Sequence, residues 1–476
     1  MTAKEIAIAA NGRLLYGNGA AVASGVTTDT RGDCADMLFA PIIGVNFDGH
    51  DFIDTAFAKG AKVVLTSRGA LNADRIPFDA AVVGVDDTLK ALGRLAAWHR
   101  MRHNALVVGV TGSVGKTTTK DMIALVLSKK YNVLKTSGNM NNEIGLPLTV
   151  FGLTEKHTAM VLEMGMNQPG EIARLSKIAR PDIAVITNIG DAHIKQFGSK
   201  QNILKEKLEI LAGLSKNGVV FLNGDDAMLR GLMGLIDRPV VYYGIDEGLD
   251  VTGTDARLKS DFALEFEFTW RDRDYGVKLN VAGTHNIHNA LAAVAIGLHN
   301  GISPKQITDA LYEFLPDKLR MNIADIGAVR LINDTYNANP QSVRAAIDVL
   351  ADQTGGGCGG GDGPTGRRIA VFGDMLELGE FTKLRHREIG EYLWHKGVDI
   401  LVTVGPNAEE YIIGANGAAE RAGGGGEVEC RAFPEQSGVA EYVANLLRPG
   451  DVILVKGSRS MFMERVAESL ERMITI

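Results

Sequence analysis

From Ala105 onward, short runs of β-branched and other apolar residues alternate with stretches in which apolar positions recur every three to four residues. The first series reads ALVVGVT, a helix over 116–129, TAMVLEM, a helix over 171–179, DIAVITNI, a helix over 201–214, and VVFLN. Such alternation predicts a parallel sheet with helices packed on its faces. A second series starts near Val329: VRLIND, a helix after Asn339-Pro340, RRIAVFG, a helix over 384–396, DILVTVG, and DVILVKG before a helix from Met461. In both, the residues with reactive side chains fall at carboxyl ends of strands, where doubly wound sheets open a crevice for ligands. The first 86 residues carry shorter elements and turn signals such as Asp48-Gly49. The pattern predicts an α/β protein of three domains, over 1–86, 87–316 and 317–476.

Composition agrees with several cores rather than one, since 476 residues at 45% hydrophobic content exceed what a single core organises. A net charge of -7 gives no global positive field, which argues against nucleic acid as a partner. An anionic ligand would have to be drawn by a local cluster of cations. Cys34, Cys358 and Cys430 share no metal-ligand spacing and leave one thiol over, which suits a reducing compartment, and cytoplasm is the expected location. The start, MTAKEIAIAANGRLL, has an early acid and no apolar core, so it does not read as a signal peptide. The longest apolar run, 290–298, is about half of the roughly 20 residues a spanning helix needs. Two glycine-rich tracts, 355–363 and 423–426, are expected to be flexible surface loops without function.

The segment VVGVTGSVGKTTTKDM sets a glycine-rich turn between an apolar strand and a helix, so that backbone N–H groups converge on one point. That point favours phosphate. Thr111, Gly112, Ser113, Val114, Gly115, Lys116, Thr117 and Thr118 form the loop, with Lys116 reaching terminal phosphates and the Thr117 hydroxyl joining a magnesium shell. Val110 stands where the general G-x-x-x-x-G-K-[ST] pattern wants glycine. Elsewhere the residues leave alternatives open. Glu163, inside MVLEMGM, needs a cation, which a metal or a lysine could supply. His193 follows a strand at the same sheet edge and could be a ligand or a satisfied structural histidine, with Asp191 as a neighbour to orient it. Lys207 falls within the apolar stripe of Ile203, Leu204, Ile210, Leu211 and Leu214, whereas Lys205 lies on the opposite, solvated side. Its stem could pack inside while the ammonium snorkels outward. His285, Asn286 and Asn289 head an apolar helix, where capping is the ordinary role of asparagine.

Motifs spread over the whole chain carry more than a nucleotide site: T-G-S-V-G-K-T, S-G-N-M-N-N-E-I-G-L-P-L-T, V-L-E-M-G-M-N-Q-P-G-E-I, I-T-N-I-G-D-A-H, G-T-H-N-I-H-N-A, N-D-T-Y-N-A-N-P, F-G-D-M-L-E-L-G and K-G-S-R-S-M-F-M-E. In this order they resemble the Mur ligase family. The resemblance implies an N-terminal UDP-recognition domain, a central P-loop ATPase-type domain and a C-terminal Rossmann-like domain that closes over the site. It implies ATP and Mg2+ as cofactors and a reaction in which ATP phosphorylates a peptide carboxylate and an amine attacks the acyl phosphate. A carboxylate is a poor electrophile; its mixed anhydride with phosphate has a good leaving group. The stretches around Met375 and Arg459 look like the members that join D-alanyl-D-alanine to a UDP-N-acetylmuramoyl-tripeptide, and a monomer is expected.

The resemblance also assigns residues. It makes Lys116, Glu163, His193 and Lys207 catalytic, with Thr117, Glu163, His193 and a carbamylated Lys207 around magnesium. His285, Asn286 and Asn289 would line the adenine pocket, and Arg320 and Asp334 would contact ATP from the C-terminal side, although DKLRMNI departs from the usual P-x-x-R-x form. Thr28, Asp29, Thr30, Arg31 and Asp48 match the UDP region, Arg31 being either a diphosphate partner or half of a surface salt bridge. Asn139, Asn142, Asn337, Asp374, Lys456 and Arg459 are candidates for holding the peptide substrates. A related Mur ligase, a folylpolyglutamate-type ligase or a P-loop nucleotide switch are the rival readings.

Overall fold

The computed structural model describes residues 1–68, 73–258, 263–353, 366–423 and 428–475, and it places three sheets in succession along the chain. The first has the order Arg13–Gly17, Ala81–Gly84, Val63–Thr66, Met37–Phe39, Gly25–Thr27, parallel except for its first strand. The helix Thr88–Met101 leaves this domain. Its Asp87 cap accepts a hydrogen bond from the Lys90 N–H, and it buries Ala91, Leu92 and Leu95 in the N-terminal core but Ala96 in the next one.

The second sheet has nine strands. Seven are parallel, in the order Val251–Leu258, Val240–Gly244, Val219–Asn223, Ile183–Ile186, Leu106–Thr111, Ala159–Glu163, Val133–Lys135. The strands Ala159–Glu163 and Ile183–Ile186 are buried at every position, because helices cover both faces, and this is why they read as unbroken apolar runs. Register sets Val110 beside Glu163 and Thr111 beside Ile186, so three strands end level at one edge. Two further strands, Leu264–Thr269 and Asp274–Leu279, extend the sheet in antiparallel fashion.

The third sheet, in the order Asn322–Ile326, Val329–Asp334, Val452–Lys456, Arg368–Gly373, Ile400–Val404, Glu429–Phe433, is parallel after its first strand. An apolar cluster joins this domain to the central one, taking Ile194 and Phe197 on one side and Ala338, Met375 and Leu378 on the other.

One expected helix is shortened. The stretch 201–214 is an α-helix only over Lys200–Leu208 and a 3-10 helix over Glu209–Gly213. The Ser176 hydroxyl donates to the Ile210 carbonyl and accepts from the Gly213 N–H, taking partners that an α-helix would use for itself. The tract 355–363, with Cys358, and most of 423–426 lie outside the described residues. Among the described residues, no helix is long and apolar enough to cross a membrane.

Candidate functional site

A cavity of about 880 Å³ opens where the central strands end, and the C-terminal domain supplies its far wall. The central domain contributes Ser113 to Thr118, Asn139, Asn141, Asn142, Glu163 and His193; the C-terminal domain contributes Arg320, Asp334, Tyr336, Asn337 and Lys456.

The phosphate loop is built from close backbone approaches. Gly112 has φ +151° and Gly115 φ +83°; a Cβ at Gly112 would lie 1.8 Å from Thr187 Oγ1, and one at Gly115 would lie 2.5 Å from Asn289 Oδ1. The Thr187 hydroxyl itself holds the loop by donating to the Val114 carbonyl at 2.6 Å. Gly112→Ala is therefore expected to displace the loop and weaken nucleotide binding at least roughly tenfold, from about 1–3 kcal/mol of backbone and steric strain. Equilibrium titration with a fluorescent ATP analogue checks this; unchanged affinity would contradict it. The Lys116 ammonium donates to the Gly112 carbonyl at 2.8 Å, and desolvation lowers its pKa against the opposing pull of Glu163.

Glu163 is 2% exposed and forms no ion pair with any described residue. Its carboxylate accepts from the Thr117 hydroxyl at 2.8 Å and the Asn141 side-chain amide at 2.7 Å, while its N–H donates to Thr136 Oγ1. A buried carboxylate satisfied only by neutral donors is a hard-oxygen site with charge to spare, and it fits Mg2+. Among the described residues no three His, Cys, Asp or Glu side chains converge on a metal position. That suits an ion held by a few protein groups, with water and phosphate oxygens completing its shell.

His193, with φ +63°, lines the same cavity. Its Nδ1 lies 2.7 Å from Glu377 Oε2, an ionic contact whose angle misses a hydrogen bond, and it holds the Glu377 carboxyl below the usual range. Asp191 does not orient it as expected. That carboxylate turns instead to Arg385 at 3.1 Å and Lys200 at 3.5 Å.

Lys207 is 2% exposed and no described carboxylate pairs with it. Its pKa is lowered well below the usual lysine value, by burial first and by the nearby Lys116 charge second.

At the head of the helix His285–His299, Asn286 does not cap: its amide donates to the Ala282 carbonyl, and its oxygen accepts from Asn289, which in turn accepts from the Thr119 hydroxyl. The two asparagines thus lock the helix His285–His299 to the phosphate-loop helix. Desolvation lowers the His285 pKa to about 4. His288, which the sequence reading passed over, bonds Asp225 at 2.7 Å beside it. Arg320 stacks 3.6 Å over the Tyr336 ring, and Lys456 pairs with Asp334 at 2.5 Å.

Several expected substrate residues are placed elsewhere or are already engaged. Asp374 is 1% exposed, accepts from the Asn407 backbone and side chain, and does not line the cavity. Asp48 caps a short 3-10 helix and is pinned by His50 and Arg68. Arg31 makes a bidentate contact with Asp29 on the surface, and neither they nor Thr28 and Thr30 line this cavity. Asn142 reaches the cavity, but its side chain accepts from the N–H groups of Ile144 and Gly145. Arg459 pairs with Glu464 and sends its backbone N–H to Asn337, which does line the cavity. Asn141 was missed, although Asn139 and Asn142, two residues before it and one after it in the N-M-N-N segment, were both named.

Comparison with known proteins matches residues 110–297 to the Mur ligase middle domain, 319–459 to the "Mur ligase, glutamate ligase domain", and 22–100 to the "Mur ligase family, catalytic domain". A UDP-N-acetylmuramoyl-tripeptide--D-alanyl-D-alanine ligase of Bacillus subtilis is 37% identical over 94% of this chain and 93% of its own. The chain belongs to the Mur ligase family. The Escherichia coli enzyme of the same name is 35% identical over 94% of this Mur ligase and 93% of its own length. Among solved structures, MurF from Acinetobacter baumannii superposes with a TM-score of 0.87 at 31% identity, covering 99% of this chain and 98% of that one. MurF ligase from Thermotoga maritima in complex with ADP gives 0.81 at 31% identity, covering 94% and 97%.

Proposed function

We propose that this Mur ligase joins D-alanyl-D-alanine to a UDP-N-acetylmuramoyl-tripeptide, using ATP and Mg2+ and passing through an acyl phosphate. The observation that carries the reading is the phosphate loop and the buried Glu163, which makes no close ion pair with a described residue, facing C-terminal-domain residues across one cavity. The names of its relatives identify the amine and the nucleotide-linked acceptor.

In this reading the backbone N–H groups of 112–117 and Lys116 hold the phosphate chain, and Thr117 and Glu163, with His193, hold the divalent ion. The ion, when bound, neutralises charge on the transferring phosphoryl group. Arg320 adds positive charge on the opposite wall, beside the Lys456–Asp334 pair, for the charge that develops in acyl transfer. The N-terminal domain, 1–86, recognises the UDP moiety through the loop of Thr28 to Arg31, which Lys59 braces by donating to the carbonyls of Thr30, Arg31 and Gly32. The enzyme acts as a monomer in the cytoplasm.

The test supplies protein, ATP, Mg2+ and D-alanyl-D-alanine with UDP-tripeptides ending in meso-diaminopimelate or L-lysine, and records product mass. Formation of a UDP-pentapeptide with stoichiometric ADP is expected. Phosphate release with glutamate or a diamino acid but not with D-alanyl-D-alanine would overturn the choice of amine.

A further inference from the structure

The histidine on the cavity wall and the carboxylate that meets it belong to different domains. His193 follows the central strand Ile183–Ile186, and Glu377 follows the C-terminal strand Arg368–Gly373. Both have φ of +63°, a left-handed conformation that costs a residue with a Cβ about 1 kcal/mol or more, and their side chains meet at 2.7 Å. The backbones meet as well: the Lys195 N–H donates to the Glu377 carbonyl at 3.3 Å. Gly379, at φ +59°, brings the C-terminal loop against Lys195 so closely that a Cβ there would lie 3.0 Å from Lys195 Cγ. Asp191 and Arg385 add a second cross-domain ion pair at 3.1 Å.

We propose that Glu377 is a positioning residue for His193, so that docking of the C-terminal domain and affinity for the divalent cation form one coupled equilibrium. The proposal rests on the reading of His193 as a ligand to that cation. A carboxylate 2.7 Å from Nδ1 draws the ring proton to that side and leaves the Nε2 lone pair, which no described residue occupies, for the cation. Since the carboxylate arrives with the other domain, the ring is oriented only when the two are together. By linkage, a cation that binds the oriented ring more tightly stabilises the docked arrangement to the same degree. Metal binding would then be a means of closing the active site before phosphoryl transfer, with water excluded from the acyl phosphate.

The test uses the full-length chain at saturating ADP with Mn2+ as probe, free Mn2+ being counted by electron paramagnetic resonance. Glu377→Gln is expected to lower Mn2+ affinity roughly tenfold, the low end for partners of a metal-binding histidine because the Glu377 side chain is half exposed. Glu380→Gln, in the same loop, should bind as the unmodified protein does, and the unfolding midpoint of Glu377→Gln without ligands should not move. Small-angle scattering with Mn2+ and ADP should show the Glu377 variant more extended than the unmodified protein. His193→Ala separates the two layers of the argument. If it loses Mn2+ affinity while Glu377→Gln does not, the coupling is wrong and the ligand reading stands. If His193→Ala binds Mn2+ normally, the ligand reading fails and the coupling with it.

Discussion

Lys207→Ala is expected to lower turnover by on the order of 10²- to 10³-fold, with partial recovery in high formate or acetate. The argument starts from burial. An ammonium that is 2% exposed, with the Lys116 charge near it and no described carboxylate paired to it, is an uncompensated cation, and protonation there is disfavoured. Burial therefore favours the neutral amine, the form that adds to carbon dioxide: the nitrogen lone pair forms the C–N bond, a proton leaves, and an anionic carbamate results. That anion reverses the local problem, because it faces Lys116 as a partner rather than a rival. A truncated side chain removes the anion but leaves space, which a small carboxylate can enter. The loss corresponds to about 3–4 kcal/mol of transition-state stabilisation, comparable with removing one preorganised group from a charged reaction centre. Steady-state ADP release, with and without formate, is the measurement. Full activity of the variant in plain buffer would rule out the carbamate.

Which parts of this site could be read from the sequence follows from the range over which each signal acts. The phosphate loop, Glu163 and the strands beneath them were legible because strand, turn and helix lie within one local segment, and burial on both faces writes an unbroken apolar run. Lys207 was legible as buried because its helix keeps 3.6-residue periodicity through Leu208. The helix end was not legible, since the group that converts it to a 3-10 turn is Ser176, thirty-four residues away from Ile210. Asp48 and Asp374 were named as substrate candidates from the motifs they sit in, which carry no record of the local hydrogen bonds. In the structure both are acceptors for nearby donors, and only the turn geometry reveals it. Asn141 rather than Asn139 or Asn142 meets Glu163 because one step along an irregular loop changes the direction of the side chain entirely. Glu377 was hidden for a different reason: its partner is 184 residues away and in another domain. The strands after 240 were overlooked although LEFEFT alternates buried and less buried positions, a period-two signal that the sequence does carry.

Glu163→Gln is expected to separate activity from stability. Glutamine keeps the shape and can keep the hydrogen bonds: the Thr117 hydroxyl can rotate to accept from the new NH2 group, and the Asn141 amide can present either its oxygen or its nitrogen. What the substitution removes is one buried negative charge that no described cation pairs. In the protein without ligands that charge carries a desolvation cost that its pull on the Lys116 ammonium offsets in part, so its removal should change the unfolding midpoint little. The same removal withdraws the carboxylate proposed to bind magnesium and the opposite charge that supports the Lys116 ammonium. Turnover should then fall at least on the order of 100-fold, and the Mg2+ concentration needed for half-maximal rate should rise. Thermal unfolding beside an Mg2+ titration of ADP release distinguishes the outcomes. A variant that loses activity only in proportion to lost stability would make Glu163 a structural residue, and one that retains normal Mg2+ dependence would move the metal elsewhere.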